Sequence, residues 1–137
     1  MNGCMSNSFR SLITNPRFAF FLAGLWMVFL YVMSSLPQVG QYNTIYGLDK
    51  VEHIIAFGVL GVLLTRGFQP MFPKKGLAVV FLVTVIIAVY GALDEFHQMF
   101  VPGRTASLTD LLADVVGGFS ASFVLYYLSI RSSHCGK

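Results

Sequence analysis

Four of the six acidic residues fall within residues 90–118, YGALDEFHQMFVPGRTASLTDLLADVVGG: Asp94, Glu95, Asp110 and Asp114. His97 and Arg104 lie among them. The other two acids, Asp49 and Glu52, stand beside Lys50 and His53. Such side chains support three kinds of chemistry. A histidine oriented by a carboxylate transfers protons. The planar fork of an arginine grips phosphate or carboxylate. Histidines and carboxylates drawn from several helices can hold a divalent cation. The spacing does not indicate a metal, because there is no His-x-x-x-His and no Glu-x-x-His. No Gly-x-Ser-x-Gly marks a nucleophile either.

The elements that carry these groups are apolar. The chain is 55% hydrophobic and only 11% charged, with a mean hydropathy of +0.70. A soluble domain carries far more charge. The apolar residues come in long runs, not at the 3.6 or 2 period of a half-buried element. Four runs are expected to span a membrane: 18–36, 48–66, 76–98 and 107–130. A bilayer core of roughly 30 Å needs about 20 helical residues, so the second run is short and its ends should sit near the headgroups. Beta-barrel strands would show shorter alternating segments. The first run is too long for a signal-peptide core, and no small-x-small cleavage site follows it. Residues 1–137 therefore read as a single all-α integral membrane domain, a four-helix transmembrane bundle.

Basic residues set the expected orientation. With a cytoplasmic N-terminus, Arg10, Arg17, Arg66, Lys74, Lys75, Arg131 and Lys137 all lie inside, and only Lys50 and Arg104 lie outside. That bias favours both termini cytoplasmic and a polar site facing outside. The net charge of +3 then follows from topology and attraction to anionic lipids, with no nucleic-acid partner required. Cys4 and Cys135 fall on the reducing side and should remain thiols. His134 and Cys135 read as tail residues without a role.

In this topology every acid lies at one end of the bundle. Asp49 and His53 are four apart and share a helical face. Asp94, His97 and Gln98 share another, and Glu95 should still reach Gln98. Asp114, about two turns into the fourth span, lies roughly 10 Å along the axis. An ionisable group at that depth faces the bundle interior or a wet cavity. Val115-Val116-Gly117-Gly118 allows close helix packing beside it. Val101-Pro102-Gly103-Arg104 reads as a turn that aims Arg104. Ser107 reads as the N-cap of the fourth span, with Asp110 at its third position completing the cap or serving the site. Asp49, Asp94 and Lys50 should sit near the interface, where charge is cheap, and support the rest.

Three segments together resemble the VanZ-like family. The first is Asp49-Lys50-Val51-Glu52-His53, followed by Phe57 and Leu60-Gly61. The second is Tyr90-Gly91-Ala92-Leu93-Asp94-Glu95-Phe96-His97-Gln98, continuing at Val101-Pro102-Gly103-Arg104-Thr105-Ala106-Ser107. The third is Asp110-Leu111-Leu112-Ala113-Asp114-Val115-Val116-Gly117. The resemblance implies a small cell-envelope membrane protein and, through the founding member, a link to resistance against the glycopeptide teicoplanin. The family positions that map here are Asp49, Lys50, His53, Glu95, Gln98, Arg104 and Asp110. The family often carries Asn where this chain has Asp114, so an ionised Asp114 would need a cation, a proton or Arg104 beside it.

Two functional classes lead. In the first, the polar layer recognises a lipid headgroup, a lipid-linked cell-wall precursor or a lipoglycopeptide, with Asp49, Gln98, Arg104, Asp110 and Asp114 as binding residues. In the second, a membrane hydrolase or transferase acts on a lipid-linked phosphorylated substrate at the outer leaflet. His53 and Glu95 are its candidate catalytic residues, with His97 as an alternative acid or base. Cofactors stay open, a divalent cation included. Membrane lipids are the expected surroundings, and the limited interior of four short spans leaves room for a homodimer.

Overall fold

The structure, a computed structural model, describes residues 15–37, 48–73 and 75–134, the last three as backbone. Arg10, Lys74, Lys137, Cys4 and Cys135 lie outside the described residues, as does the side chain of His134. Among the described residues the fold consists of four α-helices: α1 (Pro16–Ser34), α2 (Leu48–Phe68), α3 (Gly76–Gln98) and α4 (Leu108–His134). All four are long and apolar enough to cross a membrane, and no strand occurs among the described residues.

Local chemistry explains the helix ends. Asn15 caps α1 by accepting the Arg17 N–H at 2.9 Å, and Pro16 occupies the first helical position, where no N–H is needed. At the other end the Ser35 hydroxyl donates to the Tyr31 carbonyl at 2.6 Å, two residues before Pro37. Thus α1 starts and stops two residues earlier than its apolar run. The second run is not short. Helix α2 continues past Arg66 to Phe68 and then through a 3-10 turn at Gln69–Met71, giving a span of 24 residues. Arg66 belongs to the last turn of α2, where a cation suits the helix dipole, so its charge does not stop the helix. Between α3 and α4 the chain turns at Gly103, whose φ of 80° is readily available only to glycine.

Helix α2 lies at the centre, packed most extensively on α4 and also on α1 and α3. The crossing with α4 is close because small residues face each other. A Cβ on Gly61 would stand 2.7 Å from the Gly118 carbonyl oxygen, and one on Gly118 would enter the Ile87 side chain. One turn further along, the buried Thr65 hydroxyl donates to Ser122 at 2.9 Å. The apolar core gathers Ala23 and Leu30 of α1, Phe57, Leu60 and Leu64 of α2, and Val79, Val83 and Ile87 of α3. Most other large apolar side chains point outward; Phe81 is 73% exposed and Phe21 61%. So much exposed apolar surface is untenable in water and suits a lipid surround. Because lipid is as apolar as the core, close packing and interhelical hydrogen bonds must hold the bundle together.

One end of the bundle gathers the ends of α1 and α3 with the starts of α2 and α4. Arg104 and His97 reach α1 there, and Lys50 of α2 reaches Asp110 of α4. This is the polar end anticipated from the distribution of acids.

Candidate functional site

His53, Glu95 and Asp114 arrive from α2, α3 and α4 and meet inside the polar end. His53 Nδ1 lies 2.8 Å from Asp114 Oδ1. Asp114 is fully buried, six residues into α4, or about 9 Å from its start at 1.5 Å per residue. Each of the three offers a ligand-type atom, and all these atoms lie within 4.8 Å of one another. Glu95 does not reach Gln98 as its spacing suggested. Its Oε2 accepts the Ser107 N–H at 2.6 Å, at the start of α4. Glu95 Oε1 and Asp114 Oδ2 are buried without a hydrogen-bond partner. Gly91, one turn before Glu95, leaves the room that Asp114 needs: a Cβ there would stand 2.8 Å from Asp114 Oδ2.

His53 joins this cluster to an open cleft of about 130 Å³. Leu30, Met33 and Ser34 of α1 form one wall; Glu52, His53, Ala56 and Phe57 of α2 form another. Asp94 and Gln98 of α3, with Arg104, complete it. Asp94 was expected near the interface, but it is only 6% exposed. It continues the stripe Ile87, Gly91, Asp94, Gln98 that turns inward along α3, so its place near the helix end does not bring it to solvent. Gln98 Nε2 donates to Asp94 Oδ2 at 2.8 Å, while Asp94 Oδ1 has no partner. Arg104 spends two nitrogens on the end of α1: Nη2 donates to the Met33 carbonyl at 3.0 Å and Nε to that of Leu36 at 3.2 Å. Its Nη1 stands 3.5 Å from Gln98 Oε1.

The remaining charges form a separate surface group. Lys50 Nζ bridges Asp49 Oδ2 at 3.0 Å and Asp110 Oδ1 at 2.6 Å. Asp110 is therefore occupied by Lys50, and neither it nor Asp49 lines the cleft. The Ser107 hydroxyl pairs with that of Thr109 at 2.7 Å, while its carbonyl accepts the Asp110 and Leu111 N–H groups. His97 Nε2 lies 2.9 Å from the Ser35 hydroxyl, and its ring packs on Tyr31.

The structure thus brings His53, Glu95 and Asp114 together, sets Gln98 and Arg104 on the adjoining cleft, and leaves Asp49 and Asp110 outside. Sequence reasoning underrated Asp94 and did not assign Glu52 a role. The inward stripe on α3 could have revealed Asp94. The exposed Glu52 carries no comparable signal. Chemically, an imidazole that donates Nδ1–H to a carboxylate keeps Nε2 free as a base or ligand.

Four apolar helices with polar groups gathered at one end define a multi-pass membrane protein. The family model described as VanZ/LLP1 matches residues 13–130, most of the chain, and the protein belongs to this VanZ-like family. No curated protein and no solved structure matches it.

Proposed function

We propose that this protein sits in the cell membrane with its polar end outside and its termini in the cytoplasm, and that the cleft recognises the polar headgroup of an envelope lipid or lipid-linked precursor. Arg17, Arg66, Lys75 and Arg131 stand at or near the opposite ends of the helices, which supports this orientation. One observation carries the binding reading: Asp94 lines the cleft and keeps a buried carboxylate oxygen without a donor. A buried acceptor left unmatched is costly, and an amine or hydroxyl of a headgroup would satisfy it. Arg104, whose Nη1 is only loosely engaged, suits a neighbouring phosphate. A lipoglycopeptide offers the same combination of acyl chain and polar group, which is how a contribution to teicoplanin resistance would arise.

Native mass spectrometry from mild detergent tests this reading. Wild type should retain a discrete lipid or precursor mass, and Asp94→Asn should lose it. Folded wild-type protein that retains nothing, even after envelope lipids are added, would overturn it.

The contact between His53 and Asp114 favours a second reading, a hydrolase or transferase acting on a phosphorylated lipid. Asp114 would orient His53 as general base, with Glu95 as acid. His53→Gln should then abolish product formation while headgroup capture persists. If capture and product never separate in this way, binding alone is the function.

A further inference from the structure

We propose that His53, Glu95 and Asp114 form a binding site for a divalent transition-metal ion, with Zn²⁺ the best match. The inference rests on the buried cluster and not on the cleft's ligand, so the two can fail independently. Three helices each supply one donor, and the three donor atoms already lie within 4.8 Å of one another. An ion with bonds of about 2.0–2.1 Å sets tetrahedral ligands roughly 3.4 Å apart. The widest separation therefore needs to close by up to about 1.4 Å, while His53 Nδ1 and Asp114 Oδ1, now 2.8 Å apart, open slightly; both changes are within reach of side-chain rotations.

Two further observations point to a cation. Asp114 is 0% exposed and Glu95 6%, and each keeps one carboxylate oxygen with no hydrogen-bond partner. Asp114 Oδ2 faces α3 at Gly91, one turn from Glu95. Among the described residues, no lysine or arginine neutralises the pair; the one basic group in contact with it is His53 itself, at Asp114 Oδ1. Lys50 is held by Asp49 and Asp110, and Arg104 by the end of α1 and Gln98. Buried charges are ordinarily paired or bound to metal.

The donor set narrows the ion. Ca²⁺ takes six to eight oxygens, and Mg²⁺ prefers an octahedral oxygen shell. One imidazole with two carboxylates suits a borderline ion. Three protein ligands leave a fourth position open, the arrangement of zinc sites that bind a water or substrate. His53 also lines the cleft, so the open position would lie beside whatever occupies it.

The test uses full-length protein in mild detergent, stripped with a chelator and titrated with ZnCl₂ by calorimetry and native mass spectrometry. Wild type should bind one Zn²⁺ per chain. Glu95→Gln and Asp114→Asn, which preserve shape, should each bind at least tenfold more weakly while eluting as folded protein. CoCl₂ provides a second measurement that needs no variant: a four-coordinate site gives intense visible absorption, and added Zn²⁺ should abolish it. Folded wild type that takes up neither ion, or variants that bind Zn²⁺ as tightly as wild type, would overturn the proposal.

Discussion

Gly117 of α4 lies against the backbone of Ile54 of α2, with no room for a methyl group: a Cβ on Gly117 would run into the Ile54 carbonyl oxygen. Ile54 follows His53, and Gly117 stands one turn beyond Asp114. The backbone contact therefore sets the spacing that allows His53 and Asp114 to meet at 2.8 Å.

Gly117→Ala should push α2 and α4 apart. Overpacking costs about 1–3 kcal/mol, and here the obstacle is backbone, which cannot rotate away. A clearly lower melting temperature in detergent is expected. Gly58→Ala is the internal comparison, because its Cβ would meet Gly117 at an ordinary 3.6 Å; its stability should stay within about 0.5 kcal/mol of wild type. Equal melting of the two variants would contradict the close-contact account.

Thr65 and Ser122 should show energetic coupling across the same helix pair. Their hydroxyls bond at 2.9 Å in a buried setting. Interhelical hydrogen bonds in membranes average about 0.6 kcal/mol and reach about 1.7. A double-mutant cycle with Thr65→Val and Ser122→Ala should return a coupling in that range. Strict additivity would mean that the bond contributes nothing net.

Arg104→Gln should fray the end of α1. The guanidinium satisfies the carbonyls of Met33 and Leu36, and a cation at a helix C-terminus is worth about 0.3–1 kcal/mol. Faster amide exchange in the last turn of α1 is the expected sign. Arg104→Lys should recover only part of the loss, since an ammonium lacks the fork that spans two acceptors. Unchanged exchange in both variants would assign Arg104 to ligand contact alone.

Topology can be read by labelling single cysteines after Cys4 and Cys135 are replaced by serine. Thr105→Cys, exposed beside the polar end, should react with an impermeant maleimide in intact cells. Phe72→Cys, exposed at the other end between α2 and α3, should react only after permeabilisation. The reverse pattern would invert the proposed orientation.

Much of the architecture was legible in the sequence because apolar runs of bilayer length have few alternatives to helix. Hydropathy alone misjudged the end of α2. It falls at Arg66, yet a cation near a helix C-terminus does not break the hydrogen bonding. The polar layer was visible as composition, and the depth of Asp114 followed from counting turns. The meeting of His53, Glu95 and Asp114 was not legible, because it depends on the mutual rotation of three helices. That rotation is set by contacts such as Gly117 on Ile54, which spacing along one chain does not encode. Spacing of i to i+3 favours neighbours on one helix and so points Glu95 at Gln98, whereas its carboxylate takes a backbone donor at the start of the next.

The attachments of α1 have a different kind of consequence. Trp26 of α1 donates its indole N–H to the Ala56 carbonyl of α2, Tyr90 donates its hydroxyl to the Met27 carbonyl, and Arg104 donates to those of Met33 and Leu36. Two of these four acceptors belong to the main chain of α1 and a third, Leu36, follows just after it; main-chain carbonyls are supplied by every residue type. Selection can therefore rewrite most α1 side chains and still keep the helix docked, provided they remain greasy. The wall that α1 lends to the cleft, at Leu30, Met33 and Ser34, carries none of the signature residues, which lie on α2, α3, α4 and the loop at Arg104.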